Sequence, residues 1–145
     1  MQAENFFTQE QKSKIITAIE EAELSTSGEI RVHVESRCKE DVLDRAAYWF
    51  KKLSMHKTEL RNGVLFYLAV TDRKFAILGD AGINAVTPDN FWDEIKEQML
   101  ERFKAEQFTE GLAEGILRAG KALKDNFPHQ TDDVNELPDD ISFGK

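Results

Sequence analysis

Cysteine is almost absent from this sequence, because Cys38 is the only one among 145 residues. One thiol cannot form an intramolecular disulfide, and it cannot supply the paired cysteines of a zinc knuckle. The common catalytic signatures are missing as well: there is no Gly-x-Ser-x-Gly elbow, no Gly-x-x-x-x-Gly-Lys phosphate loop and no His-Glu-x-x-His zinc helix. These absences exclude the enzyme classes that those motifs define.

Positive charge is also in short supply. The chain has 19 basic and 27 acidic residues, which gives a net charge of −8. A nucleic-acid-binding surface needs a basic stripe, so we expect no nucleic-acid partner. An acidic surface is compatible with divalent cations, although its usual effect is solubility.

Long hydrophobic runs are missing too. The longest, Val64 to Val70, is far shorter than the roughly 20 residues that a membrane helix needs. The first residues, MQAENFFTQEQKSK, lack the basic-then-apolar pattern of a signal peptide. We therefore expect a soluble, cytoplasmic protein without a membrane partner, and we expect it to be a monomer.

The chain nevertheless has the length and the apolar content of one folded domain. Its hydrophobic fraction is 41%, and ten phenylalanines contribute to it. The segment that follows Phe127 is acidic and shows no periodicity. We therefore predict an acidic, mobile tail over residues 128–145.

The first half of the chain predicts a helix followed by a βαβ unit. Thr8 and Gln11 form a capping-box pattern, and the helix that they open ends near Leu24. Residues 30–35 alternate, which predicts a strand with one buried face and a wetter face that carries His33. An amphipathic helix over residues 41–53 then precedes a wholly apolar strand over residues 64–70.

The second half predicts a hairpin and two more helices. Residues 74–78 form a third strand antiparallel to the second, and residues 83–86 form a loop or an extra strand. Thr87 and Pro88 open a third helix. A fourth runs over residues 109–124, with glycines that favour close packing. The fold class is thus α/β: a three-layer α/β/α sandwich with a short mixed sheet of three or four strands and four or more helices.

Strand directions bring three polar residues to one edge of this sheet. The two parallel strands begin near Glu29 and Asn62, and the antiparallel third strand ends at Asp80. Two carboxylates and an amide oxygen suit a hard cation, so we predict that these three residues bind Ca²⁺ or Mg²⁺. Each also has a simpler interpretation: a polar strand start for Glu29, a turn dipeptide for Asn62 with the glycine after it, and an Asx turn for Asp80.

Four motifs in order resemble the TPM domain family, which is named after thylakoid-lumen, photosystem-associated and acetylcholine-receptor-modulating proteins. They are TSGEIRV at 26–32, NGVL at 62–65, DRK with ILGDAG at 72–82, and FKAEQFTEGL at 103–112. The resemblance covers residues 7–127, which we interpret as a single domain of a stand-alone, bacterial-type member. It implies an α/β sandwich, divalent-metal binding, calcium in particular, and the phosphatase activity known for plant members.

On this resemblance we expect a metal-dependent phosphatase that hydrolyses small phosphate monoesters. Asp80 and Arg61 would be its catalytic residues, and the Arg61 guanidinium would pair with the phosphate. The alternative is a non-enzymatic, calcium-responsive module that binds a protein partner.

Overall fold

The computed structural model describes residues 2–129 and 141–144, which form five α-helices and four strands. Their order is α1 (Gln9–Glu23), β1 (Glu29–Glu35), α2 (Val42–Lys52), β2 (Gly63–Ala69), β3 (Lys74–Gly79), α3 (Ala81–Asn84), α4 (Phe91–Lys104), α5 (Phe108–Asn126) and β4 (Ile141–Phe143). Short 3₁₀ turns cover Ala3–Asn5 and Met55–Lys57.

The four strands make one mixed sheet in the order β3-β2-β1-β4. Strand β1 is parallel to β2, and β2 is antiparallel to β3. The predicted βαβ unit and the hairpin that follows it are therefore confirmed. The register sets Glu29 opposite Gly63 and Val64 opposite Gly79, so the starts of β1 and β2 and the end of β3 share one edge.

Helices cover the sheet on both faces, which confirms the three-layer sandwich. Helices α1, α4 and α5 enclose the larger apolar core with residues such as Val32 and Phe66. Helix α2 and the turn at Met55 cover a smaller core on the opposite face. All seven residues of β2 are buried, as expected for a central strand with apolar side chains on both sides.

Strand β1 is more deeply buried than the alternating pattern predicts. His33 is only 1% exposed and Glu35 only 2%, so the prediction of a wetter face that carries His33 is wrong. Helix α2 packs over this face and contributes hydrogen-bonding side chains that make the burial of polar residues tolerable.

The helix boundaries agree with those predicted from the sequence, except around α3 and α4. Thr8 caps α1 through a full capping box, as predicted. Residues 81–84 form the short helix α3, so the extra strand considered for residues 83–86 is not formed. Helix α4 begins at Phe91, because the Thr87 hydroxyl donates back to the Ile83 carbonyl instead of capping a new helix.

The end of the chain adds a strand that the sequence did not predict. Ile141–Phe143 pair in parallel with β1, with Val32 opposite Ile141. These residues belong to the segment interpreted as a mobile tail, and for them that interpretation is wrong. Residues 130–140 of the same segment lie outside the described residues.

The glycines of α5 serve close packing, as predicted. A Cβ atom at Gly115 would lie 2.6 Å from the Met99 sulfur, and one at Gly120 would lie 2.6 Å from the Cβ of Ala22. Helix α5 can therefore contact both α4 and α1 without intervening side chains.

Candidate functional site

The polar residues predicted to converge do meet at one edge of the sheet, which we call the amino rim and define by Glu29, Arg61, Asn62 and Asp80. The Glu29 amide donates to the Asn62 carbonyl at 3.3 Å, and the Asp80 amide donates to the Gly63 carbonyl at 3.0 Å. These bonds continue the β1–β2 and β2–β3 pairings past the strand ends. Backbone pairing thus fixes Glu29, Asn62 and Asp80 at one edge, and Arg61 directly precedes Asn62 in the chain.

Asp80 and Arg61 form a bidentate ion pair at this rim. Both contacts, Nε to Oδ2 and Nη2 to Oδ1, are 2.8 Å long. The Asp80 side chain is only 6% exposed, whereas that of Arg61 is 51% exposed, so the guanidinium covers the carboxylate from the solvent side. Hydrogen bonding to Asp80 raises the pKa of Arg61 above its ordinary value.

Asp80 also caps α3, because its Oδ1 accepts from the Ala81 amide at 2.7 Å. The simpler interpretation of Asp80, a side chain that bonds the backbone of its own loop, therefore applies. From the described residues its carboxylate accepts three hydrogen bonds, two from Arg61 and one from Ala81.

The glycines that flank Asp80 allow contacts within the protein. A Cβ atom at Gly82 would lie 2.1 Å from the Leu60 carbonyl oxygen, and the Gly82 amide donates to the Arg61 carbonyl at 2.8 Å. A Cβ atom at Gly79 would lie 2.7 Å from the Trp92 ring. The backbone of Arg61, with φ of 53°, is consequently held against the start of α3.

Glu29 and Asn62 are more deeply buried than the ion pair. They are 3% and 2% exposed, and the Asn62 amide nitrogen lies 3.5 Å from the Ser27 hydroxyl. The rim therefore holds two buried carboxylates and an amide, which is the oxygen-donor chemistry that a hard cation requires. Within residues 2–129 and 141–144, however, no group of three or more His, Cys, Asp or Glu side chains is arranged to hold a metal ion.

A third buried carboxylate, Glu35, lies beneath α2 in a group that we call the Glu35 cluster: Glu35, Arg45, Trp49, Tyr67 and His33. Glu35 accepts from Arg45 twice at 2.8 Å, from the Trp49 indole at 2.8 Å and from the Tyr67 hydroxyl at 2.7 Å. Burial alone would raise the pKa of Glu35, but the hydrogen bonds from Arg45, Tyr67 and Trp49 outweigh it and lower the pKa.

His33 completes this cluster beside β4, the strand next to β1 in the sheet. Its Nδ1 lies 2.6 Å from the Ser142 hydroxyl, and its ring centroid lies 3.8 Å from that of Trp49. Burial lowers the pKa of His33 to about 4, so the ring is neutral at pH 7. Sequence reasoning missed the cluster, although one signal was present: Arg45 lies one helical turn before Trp49, within the buried stripe of α2.

None of the helices in the described part of the chain is long and apolar enough to cross a membrane.

Comparison with known proteins gives a family and a close structural relative. A family model for the TPM domain, TPM_phosphatase, matches residues 1–122. The solution structure of the BA42 protein from the psychrophilic bacterium Bizionia argentinensis is 49% identical, with a TM-score of 0.90 over 97% of each chain. No curated protein matches the sequence significantly.

Two more distant solution structures share the fold. The N-terminal domain of a Corynebacterium glutamicum protein is 13% identical with a TM-score of 0.65, over 94% of this chain and 80% of the other. The N-terminal domain of a P. gingivalis protein is 19% identical with a TM-score of 0.69, over 87% of this chain and 83% of the other. At these identities the likeness shows the fold alone.

Proposed function

This chain belongs to the TPM domain family, and on that premise we propose that it binds Ca²⁺ or Mg²⁺ at the amino rim and hydrolyses phosphate monoesters there. One observation carries the proposal: the sheet brings Glu29, Asn62, Asp80 and Arg61 to a single edge. The rim thus combines oxygen donors for a cation with a guanidinium that is half exposed to solvent.

The donor set fits a cation on one condition. Arg61 bonds both Asp80 oxygens, and its positive charge would repel a divalent cation at the same carboxylate, so the guanidinium has to move away when the cation binds. The Arg61 guanidinium already supplies the positive charge that the buried Asp80 carboxylate needs. We therefore propose that Arg61 and the divalent cation compete for Asp80, with Glu29 and Asn62 as the other protein ligands.

Release of Arg61 would also create the anion-binding group. A guanidinium freed from Asp80 keeps its planar donor pair, which matches two phosphate oxygens. A bound divalent cation would polarise a phosphate oxygen and activate water as the nucleophile. Arg61 would orient the phosphate, and Asp80 would hold the divalent cation that faces it.

The first test measures hydrolysis of p-nitrophenyl phosphate with Ca²⁺, with Mg²⁺ and with a chelator. We expect turnover only with the metal, and we expect Asp80→Asn to abolish it while circular dichroism shows a folded protein. Full activity in the presence of the chelator would disprove the mechanism.

A second test uses Arg61→Gln, with Arg37→Gln as the matched control. Arg37 is also an exposed arginine, and it lies 3.5 Å from an aspartate, Asp72, away from the rim. Competition predicts that Arg61→Gln binds Ca²⁺ more tightly and hydrolyses the ester more slowly, whereas the control changes neither. Weaker Ca²⁺ binding by Arg61→Gln would contradict the competition.

The tight link between Arg61 and α3 favours a second candidate, a calcium-responsive module that binds a protein partner. The Gly82 amide joins α3 to the Arg61 carbonyl, so displacing Arg61 would rearrange the loop that precedes β2. Calcium titration followed by NMR separates the two functions. Shifts at Glu29 and Asp80 without ester turnover would support the module, and the absence of shifts there would refute both.

A further inference from the structure

A recess lies at the end of the sheet opposite the amino rim, beside the turn that joins β2 to β3. We call it the aromatic cleft and define it by Phe6, Phe75, Phe103 and Phe108 with the basic residues Arg73 and Lys104. Its volume is about 150 Å³, and it opens into a wider outer groove of about 590 Å³ that shares Phe6, Phe103 and Phe108.

The aromatic walls of the cleft are ordered by contacts among the rings themselves. The centroids of Phe6 and Phe108 are 5.6 Å apart, those of Phe103 and Phe108 are 5.5 Å apart, and those of Phe75 and Phe103 are 5.0 Å apart. Such edge-to-face and tilted pairs fix the ring positions. An apolar cavity of about 150 Å³ is large enough for one benzene ring.

The charged residues at the mouth of the cleft are mostly basic, whereas the chain as a whole is acidic. Arg73 and Lys104 line both the cleft and its outer groove, and Glu106 is the acidic residue beside them. Among the described residues, neither Arg73 nor Lys104 forms an ion pair within 4.0 Å. The nearby Lys74 differs, because its ammonium donates to the Cys38 carbonyl at 3.1 Å. Two cations are thus available at the edge of an apolar recess.

The position in the fold also suits a ligand. The cleft lies at the carboxyl end of β2, and ligands of open α/β sheets bind outside the carboxyl ends of the parallel strands. The amino rim lies at the other end of the same strands, so the two sites are separate.

From these features we propose that the aromatic cleft binds a small arylalkanoate, with one aromatic ring between the phenylalanines and its carboxylate beside Arg73 and Lys104. The ring replaces water against an apolar wall, and the carboxylate meets two cations that form no ion pair within the described part of the chain. The proposal does not depend on the phosphatase activity, because no residue of the amino rim takes part.

The test is a titration of the ¹⁵N-labelled full chain with 4-phenylbutanoate, followed by NMR. The matched ligand is 4-phenylbutanamide, which has the same ring and chain without the charge. For ligands of this size we expect a dissociation constant on the order of 1 mM. Shifts should concentrate at Val70, Arg73 and Phe103–Phe108, and the acid should bind about tenfold more tightly than the amide.

Two variants assign the charge to the named residues. We expect Arg73→Asn, in which asparagine tolerates the positive φ of 54°, and Lys104→Gln to lower the affinity for the acid toward that for the amide. Lys52→Gln is the control, since Lys52 is likewise an exposed lysine that ends a helix. Neither Arg73→Asn nor Lys104→Gln should change the affinity for the amide.

Three outcomes would overturn the proposal. They are the absence of shifts at the cleft at about ten times the expected dissociation constant, equal affinities for acid and amide, and shifts at the cleft that depend on protein concentration without ligand. The last outcome would show that a second copy of the chain covers the cleft.

Discussion

The amino rim and the Glu35 cluster each contain a buried carboxylate that accepts two 2.8 Å bonds from an arginine, yet they differ in what else surrounds the pair. Glu35 also has an indole and a phenol as donors, and the Arg45 side chain is only 27% exposed. Asp80 has one further donor, a backbone amide, and its arginine is 51% exposed. Similar ion pairs can therefore stabilise an interior or cover a site, depending on whether the arginine can leave.

The largest effect is expected from Glu35→Ala. This variant leaves Arg45, Trp49 and Tyr67 without their shared acceptor, so we expect a loss of about 4 kcal/mol in the free energy of unfolding. Urea denaturation measures it. The control is Glu40→Gln, which removes an exposed contact of Arg45 at 3.3 Å and should change stability by less than about 0.5 kcal/mol. A small loss in Glu35→Ala would show that the cluster is not structural.

Gly82→Ala tests how firmly the backbone of the rim is held. The new methyl group would meet the Leu60 carbonyl at 2.1 Å, and we expect a loss of about 3 kcal/mol in the free energy of unfolding. Gly63→Ala is the matched control at the same rim, because its nearest contact would be an ordinary 3.4 Å to the Met55 carbonyl. Equal losses in the two variants would mean that the link between α3 and Arg61 is not rigid.

Acid should weaken the interior cluster through His33. The pKa of His33 is about 4 in the folded protein, against 6.5 for an ordinary histidine, so the unfolded chain binds the proton more readily between these values. The contribution of neutral His33 to stability is therefore nearly complete above pH 6.5, and it falls by about 2.5 kcal/mol between pH 7 and pH 4.5. Urea denaturation at pH 7 and pH 4.5 measures the change.

The pH comparison needs a variant that lacks the ionisable ring. His33→Asn should lose less stability than the parent between pH 7 and pH 4.5, even if it is less stable at pH 7. An identical fall in both proteins would assign the effect to other ionisable groups. Glu35 contributes little to a fall between pH 7 and pH 4.5, because its pKa is lowered from the ordinary value of 4.5 and its contribution to stability is lost below that value.

The smallest effects are expected when Arg45 and Arg61 are replaced one at a time. Arg45→Gln should lower the free energy of unfolding by about 1.5 kcal/mol, since Trp49 and Tyr67 still hold Glu35. Arg61→Gln should lower it less, because its guanidinium is half exposed and water can replace it. Parallel urea titrations give the comparison, and the reverse order would contradict our distinction between an interior pair and a removable one.

Sequence patterns predicted those parts of the fold that depend on local or strictly periodic signals. The capping box at Thr8 located α1, and the apolar run of β2 with the turn after it indicated the strand directions. Strand β4 escaped prediction because three residues carry no periodicity, and their pairing with Val32 depends on an edge of β1 far away in the chain.

The sequence predicted which residues share the edge of the sheet, but it did not predict the contacts between their side chains. Strand directions placed Glu29, Asn62 and Asp80 together, but the bond between Arg61 and Asp80 depends on a left-handed residue at Arg61 that no spacing rule indicates. Sequence reasoning made both residues catalytic, with Asp80 on the metal and Arg61 on the phosphate, and did not pair them with each other. The Glu35 cluster was missed because alternation cannot tell a solvated face from one that a polar helix covers.

Strand β4 has a consequence for the order in which the molecule assembles. His33 and Ser142 are 109 positions apart, so their contact closes a very long loop and contributes strongly to the contact order. Within the described part of the chain, three residues of β1 pair with three of β4 along this edge. We expect β4 to dock last and to open first, so the amide of Gly144, bonded to Val34, should exchange its hydrogen well before the amides of β2.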